Sequence, residues 1–310
     1  MKTHDRTRFL MIGIVLICTL IIIVTTWGVS LHDSPAFVDT ELSDSSDMQT
    51  TDGTDPFESD SETTDSSSSE TTTGKINGPE TPTKMIALTF DDGPSSKYTH
   101  EILDLLEEYD AKATFFVLGS MLSSATRDEL QRAIALGCEI GSHSYSHSYL
   151  TSLSAEALAE EMRSTNEKIS LISGVDYECK LYRPPYGSID RDVMETLYVN
   201  DLKMHAILWS SDSRDWEYKQ MYYDGEITRA EAVQGAFETI CSETSDGTVI
   251  LMHDIHEITP DILKLVLEKY SAEGYTFVTV SELFGFENDM DEDSYYYRYR
   301  SADSIVYVKD

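Results

Sequence analysis

Cysteine is scarce in this chain: four residues in 310, at positions 18, 138, 179 and 241. None stands in a Cys-x-x-Cys pair, which argues against a zinc ribbon. Cys18 lies inside a long apolar run, so three cysteines remain outside it and at least one of those is unpaired or bonded between chains. Basic residues are scarce too. The 23 Lys and Arg face 56 Asp and Glu, a formal net charge of −33. Nucleic acid is a poor partner for such a surface, because binding it depends on neutralising phosphates with Lys and Arg. A neutral sugar polymer is compatible with it. The chain shows no internal repeat, which sets aside solenoids and propellers.

Residues 9–29 are nearly all apolar and carry no charge. That is long enough to cross a hydrocarbon core of about 30 Å. Lys2, Arg6 and Arg8 precede the run, and Asp33, Asp39, Glu41 and Asp44 follow it. The positive-inside rule then predicts a cytoplasmic stretch over residues 1–8, a transmembrane signal anchor over 9–31 and an extracellular remainder, held at the cell membrane by a single pass. A cleaved signal peptide is the alternative, but it has a shorter apolar region and a small-residue cleavage pattern absent here. Residues 32–83 are rich in Ser, Thr, Asp and Glu and have no apolar period. Such a segment buries too little surface to offset chain entropy, so it reads as a disordered tether.

From residue 84 the pattern changes. A short apolar run, residues 85–90, ends in Asp91-Asp92-Gly93-Pro94. That is a buried strand and its turn. Some fifty residues later come His143 and His147, four apart among serines. A structural zinc site fills its positions with protein ligands, whereas a catalytic one uses three and leaves a place for water. Asp92, His143 and His147 make three ligands for a divalent metal, and Asp91 is left over as a base. Read singly, each string has a plain alternative. Asp-Asp-Gly-Pro is ordinary turn chemistry. Arg183-Pro184-Pro185-Tyr186 is a loop stiffened by two prolines. Asp212 and Asp215 are surface acids in a loop before Trp216, and His253 is a histidine at a strand end with His256 as a local rival.

Together these strings resemble the five signature motifs of the polysaccharide deacetylase family, the NodB-homology domain of carbohydrate esterase family 4. The first is Thr89-Phe90-Asp91-Asp92-Gly93-Pro94 and the second Ser142-His143-Ser144-Tyr145-Ser146-His147. Arg183-Pro184-Pro185-Tyr186, Asp212-Ser213-Arg214-Asp215-Trp216 and Leu251-Met252-His253-Asp254 follow in order. The resemblance covers residues 84–286. It implies that Asp92, His143 and His147 hold the metal, zinc by donor type with cobalt or manganese able to substitute. It also implies that Asp91 is the base, that Arg183 holds it, and that the Tyr186 backbone N–H shares the oxyanion with the metal. His253 is then the acid that protonates the leaving nitrogen. A carboxylate beside His253 favours its cationic form, with Asp215 the first choice and Asp212 the second. Leu251 and Trp216 would wall a small apolar pocket for the acetyl methyl.

Strand and helix patterns alternate from 85 to 279, so parallel βα units are expected. Alternation alone fits a doubly wound sheet as well. The resemblance implies instead an α/β fold with a distorted parallel (β/α) barrel of fewer than eight strands. Each motif then falls at the C-terminal mouth, where such barrels keep their active sites. Residues 287–310 are acidic, then Tyr-rich, and read as a terminal strand or hairpin on the barrel, with a sugar-contacting edge as the alternative. Cys138 and Cys179 each start a strand leading to a motif, which places them at similar depth and within reach of a disulfide, with two buried free thiols as the alternative. The function implied is a membrane-anchored, monomeric deacetylase of N-acetylglucosamine residues, with peptidoglycan favoured by the anchor and the tether. Chitin oligomers, poly-N-acetylglucosamine and acetylxylan share the same motifs. A non-catalytic wall-binding protein, or a metal-dependent hydrolase of small amides or phosphoesters, represents the other classes.

Overall fold

The computed structural model describes residues 84–286 and 296–308. The expected anchor and tether lie outside the described residues. Among those described, no helix is long and apolar enough to cross a membrane. Seven strands close into a barrel. β1 (Met85–Asp91), β2 (Thr114–Val117), β3 (Glu139–Ser142), β4 (Leu181–Tyr182) and β5 (His205–Ile207) pair in sequence, all parallel. β7 (Thr248–His253) flanks β1 on its other side, also parallel. The ring is completed by β9 (Tyr297–Ser301), which runs parallel to β5 and touches β7 through the pair Ser301 and Thr248.

Two short strands account for the distortion. β8 (Thr276–Val278) pairs with the lower half of β1, where β2 has not yet joined it. β6 (Ser211–Asp212) pairs with Ile250 and Leu251 of β7, above the point where β9 meets that strand. The helices of the βα units are α1 (Tyr98–Glu108), α2 (Arg127–Ala135), α3 (Ala155–Ser173), α4 (Arg191–Val199), α5 (Asp215–Tyr223), α6 (Arg229–Glu243), α7 (Thr259–Ala272) and α8 (Val280–Phe284). Their ends follow from local chemistry. Ser154 caps α3 by accepting from the Ala157 N–H, and Gly174 ends it at φ 77°. Thr228 and Glu231 form a reciprocal capping box on α6.

Strand alternation decides which side chains see the barrel interior. On β1, Ile86, Leu88 and Phe90 pack in the large cluster shared with the helices, while Ala87 belongs to a separate cluster with Phe116, Leu181, Ile207 and Val249. Thr89 and Asp91 share the parity of Ala87 and therefore its inward side. On β7, Ile250 and Met252 belong to the outer set and Val249 to the inner one, so Leu251 and His253 also face inward. Because Asp91 is paired with His253 in the β1–β7 ladder, a carboxylate and an imidazole meet at the barrel mouth.

Two expectations change. The residues before Trp216 are not simply a loop: Asp215 opens α5, and Asp212 lies on β6. The disulfide is also corrected, since Cys138 and Cys179 are both buried free thiols. Ser142 pairs with Tyr182, and carrying that register back sets Cys179 level with Glu139, one step away from Cys138. The Cys179 thiol instead lies 3.3 Å from the Leu181 carbonyl oxygen. Residues 296–308 do form the expected hairpin, with β10 (Ser304–Tyr307) antiparallel to β9.

The hairpin is seated through a glycine. Gly247 has φ 79°, and its carbonyl accepts from the Ala302 N–H at 2.9 Å. A Cβ there would stand 2.5 Å from the Ala302 Cβ. Gly247→Ala should cost about 1–3 kcal/mol through the left-handed backbone alone and more through the collision. Gly274 has φ 78° and open space around it, so Gly274→Ala isolates the backbone cost. Thermal unfolding should show the larger loss in Gly247→Ala, and equal losses would mean that hairpin contact contributes nothing.

Candidate active site

The five motifs converge on one cavity of about 580 Å³ at the mouth of the barrel. Asp91 and Asp92 arrive on the end of β1. His143 and His147 follow β3, and Tyr186 follows β4. Asp212 and Trp216 come from β6 and the start of α5, and Leu251 and His253 from β7. Trp209 and His256 complete the lining. Several of these residues hold left-handed backbone conformations: Asp92 at φ 75°, His147 at 62° and Tyr186 at 60°. Such angles cost about 1–3 kcal/mol each for a residue with a side chain and persist only where the surroundings over-determine them.

Arg183 is the centre of the arrangement, although it does not line the cavity. It is fully buried. Its Nη1 donates to Asp91 Oδ1 at 2.7 Å and to Thr89 Oγ1 at 2.8 Å. Nη2 donates to the Leu208 carbonyl at 3.0 Å, and Nε to that of Ile207 at 3.3 Å. The guanidinium also lies over the Phe116 ring, 4.3 Å from its centroid. Asp91 is thus held by one oxygen, leaving Oδ2 on the side of His143, 3.7 Å from Nε2. Burial raises the Asp91 carboxyl above the ordinary carboxylate range, against the opposing pull of Arg183 and His253.

Beside Asp91, one ligand atom each from Asp92, His143 and His147 lies within 4.8 Å of the others. Asp92 Oδ1 is buried without a hydrogen-bond partner, 3.5 Å from His143 Nε2 and 3.3 Å from His147 Nε2. His143 Nδ1 lies 2.7 Å from the Arg183 carbonyl oxygen. A carbonyl only accepts, so Nδ1 carries the proton and Nε2 presents a lone pair. Burial lowers His143 to about 3, keeping it neutral at ordinary pH. A carboxylate oxygen with no donor, facing bare imidazole nitrogen, fits a divalent cation.

Across the cavity, Asp215 Oδ1 accepts from His253 Nδ1 at 2.7 Å, and Oδ2 accepts from the His253 backbone N–H at 2.8 Å. The Trp216 N–H and the Thr259 hydroxyl donate to the same carboxylate. With four donors Asp215 is saturated, so its grouping with His253 and His256 does not make a second metal site. Asp212 Oδ1 instead accepts from the Arg214 N–H at 2.9 Å. The structure therefore brings Asp215, not Asp212, to His253. Burial works against the His253 cation, but the charge and hydrogen bond of Asp215 raise it to about 9. Burial lowers His256 to about 4. A proton on this side of the cavity therefore resides on His253.

Sequence reasoning missed three contributors. Trp209 lies two residues beyond the end of β5, where the rule that site residues follow strands would have found it. Thr89 lies inside the first motif, where inward parity is its only signal. Thr259 comes from the first turn of α7, 44 residues from Asp215, and carries no signal in the sequence. Asp254 belongs to the fifth motif yet turns away, accepting from the Thr99 hydroxyl of α1. Arg183→Ala should cost about 3–5 kcal/mol, because it strands Asp91 as an unpaired buried charge. Denaturant unfolding measures this, and Arg183→Lys should recover only part, having no planar fork to span Asp91, Thr89 and two carbonyls.

Comparison with known proteins places this geometry. Residues 78–207 match the family model described as polysaccharide deacetylase. The peptidoglycan-N-acetylglucosamine deacetylase PgdA of Listeria monocytogenes is 37% identical over 214 residues, covering 68% of this chain. The chain spans only 42% of that protein's length. The structure of peptidoglycan deacetylase PdaC from Bacillus subtilis has a TM-score of 0.56 at 36% identity, over 64% of this chain and 89% of that one. A family 4 acetyl xylan esterase from Clostridium thermocellum, solved with a cobalt ion, has a TM-score of 0.61 at 28% identity, over 71% of this chain and the whole of the other. By its motifs, its barrel and these likenesses, the chain belongs to the polysaccharide deacetylase family.

Proposed function

We propose that this protein is a metal-dependent polysaccharide deacetylase that hydrolyses the N-acetyl group of N-acetylglucosamine residues in peptidoglycan. One observation carries the reading. Asp91, held on one oxygen by Arg183, and His253, held by Asp215, face one cavity from paired positions on adjacent strands. A wall-binding module has no need of a positioned base and a positioned acid. The peptidoglycan substrate draws support from the names of the Listeria and Bacillus relatives and from the apolar run and acidic tether in the sequence. These would hold a monomeric catalytic domain outside the cell membrane, within reach of the wall. The acetyl xylan esterase likeness keeps acetylxylan as the second reading.

Asp92, His143 and His147 would hold the cation, which polarises the acetyl carbonyl and makes water a better nucleophile. Zinc suits one carboxylate and two imidazoles, and cobalt or manganese can replace it. Asp91 Oδ2 accepts the proton of the attacking water, while Arg183 fixes the other oxygen. The Tyr186 backbone N–H donates to the oxyanion. His253 donates its Nε2 proton to the amide nitrogen as the carbon–nitrogen bond breaks, since Nδ1 is committed to Asp215. Leu251 and Trp216 take the acetyl methyl, and acetate and a free amine leave.

Acetate release from purified peptidoglycan tests the reading, with acetylxylan in a parallel arm. Chelation should abolish release, and zinc or cobalt should restore it. His143→Ala and Asp92→Asn should lose bound metal together with activity. Asp91→Asn should keep the metal and lose at least about 10²–10⁴-fold in turnover, the scale of a general base. Metal content by atomic emission separates the two aspartates, and an equal fall in both variants would falsify the division of roles.

The pH profile tests the acid. Rate should rise as Asp91 ionises and fall as His253 loses its proton. With His253 raised to about 9, the upper limb should lie at or below that pH once a cation sits nearby. Asp215→Asn removes the charge that favours imidazolium while burial still opposes it, so this limb should move down, to or below the free-imidazole value near 6.5. If Asp212→Asn moved it and Asp215→Asn did not, Asp212 would be the partner.

A further inference from the structure

The two histidines of the candidate metal site are braced differently. His143 Nδ1–H donates to the Arg183 carbonyl at 2.7 Å, which fixes the ring. Among the described residues, no hydrogen bond reaches His147 Nδ1. Its ring packs edge-on with Tyr186, 4.5 Å between centroids, and Nε2 lies 3.3 Å from Asp92 Oδ1. The aim of His147 therefore falls to the backbone that carries it. That backbone is left-handed at Ser144, φ 66°, and again at His147, φ 62°. Such angles persist only where the surroundings hold them.

Glu161 supplies much of that hold, although it belongs to none of the five motifs. It lies on α3, and its Oε2 accepts from the Tyr145 N–H at 2.9 Å and from the Ser146 N–H at 2.8 Å. Oε1 accepts from the Ser146 hydroxyl at 2.8 Å. Successive N–H groups converging in a turn make a seat for an anion, and here the chain fills it with its own carboxylate. The carbonyls of the same stretch are also taken. Ser144 accepts from the Gly119 N–H and Tyr145 from the Ser120 N–H, each at 3.0 Å. The peptide units joining Ser144 to Tyr145 and Tyr145 to Ser146 are thus gripped at both ends, with Glu161 on the N–H side of each. Two turns further along α3, Lys168 Nζ donates to the Gly119 carbonyl at 3.0 Å and lies over the Tyr145 ring, 5.0 Å from its centroid. A Cβ on Gly119 would stand 2.5 Å from Tyr145 Cδ2 and 2.7 Å from Thr165 Oγ1, so helix, turn and loop are already in contact.

We propose that Glu161 is the positioning residue for His147: by fixing the peptide units between the two histidines it sets the affinity of the site for its cation. This rests on the metal-dependent reading. The carboxylate touches neither cation nor substrate and acts only through the loop.

The test measures zinc and cobalt affinity of the metal-stripped full chain by calorimetry, beside the thermal midpoint of the metal-free protein. Glu161→Ala should weaken metal binding by about 10–100-fold, the scale of a lost partner behind a ligand. Glu161→Gln should recover most of that affinity, because its one carbonyl oxygen can accept both N–H groups while its amide donates to the Ser146 hydroxyl. Glu161→Asp is a methylene too short to reach both N–H groups, so it should bind weakly too, and it carries the test if Glu161→Ala does not fold. Glu160→Ala removes a neighbouring carboxylate that meets only its own helix, at Ser164 and Arg163, and should leave affinity unchanged. Wild-type affinity in the Ala and Asp variants overturns the proposal, even if their midpoints fall. Metal binding as weak in Glu161→Gln as in Glu161→Ala overturns it too, since charge rather than position would then be at work. A wild type that binds neither zinc nor cobalt overturns the metal-dependent reading along with it.

Discussion

The buried pair of Arg183 and Asp91 is the constraint on which the rest depends. A guanidinium taken out of water is costly unless every donor finds a partner. Here the donors reach Asp91 and Thr89 on β1 and the carbonyls that end β5, and the ring of Phe116 on β2 covers one face. Four strands are thereby tied at the mouth of the barrel by one side chain. The Arg183 carbonyl accepts a hydrogen bond from His143 Nδ1–H, so the same residue orients the base and sets the tautomer of a candidate metal ligand. Leu208, whose carbonyl accepts from Arg183, is itself held by β9, because its N–H donates to the Tyr299 carbonyl at 2.7 Å. The hairpin that closes the barrel is in this way one hydrogen bond removed from the site.

A frame that stiff explains how the site tolerates its backbone. Asp92, His147, Tyr186 and Arg214 all hold positive φ without being glycine. Each position places a motif residue just beyond a strand end, where the chain must turn sharply to aim a side chain or an N–H into the cavity. Gly93 shows how tightly this turn is packed, for a Cβ there would lie 2.2 Å from the Asp254 carboxylate.

The same packing sorts three imidazoles that would be alike in water. Burial keeps His143 and His256 neutral, with pKa lowered to about 3 and about 4. Asp215 reverses the effect of burial on His253 and raises it to about 9. A lone-pair donor and a proton donor are thereby obtained from one residue type, on opposite sides of a cavity that holds the base between them. The difference arises from which oxygen or carbonyl each ring meets.

Much of this was legible in the sequence. Apolar runs ending in Asp-Asp-Gly-Pro or Leu-Met-His-Asp declare buried strands, and their alternation with amphipathic segments declares parallel βα units, because burial on two faces leaves that pattern. The donor types of Asp92, His143 and His147 name a metal chemistry, since ligand identity is a property of side chains. Other features required three dimensions. Asp215 takes precedence over Asp212 because a single turn of α5 aims it at His253, and both stand in the same short string. The Cys138–Cys179 expectation failed by one step of register, which two short strands do not encode. Closure by residues 297–301 and the support of Asp215 by Thr259 join segments far apart in the chain. The sequence by itself determined the strands, the turns and the chemical groups available. Only the tertiary structure decided their partners, because proximity between distant residues is set by how the strands register and close, and no local pattern records it.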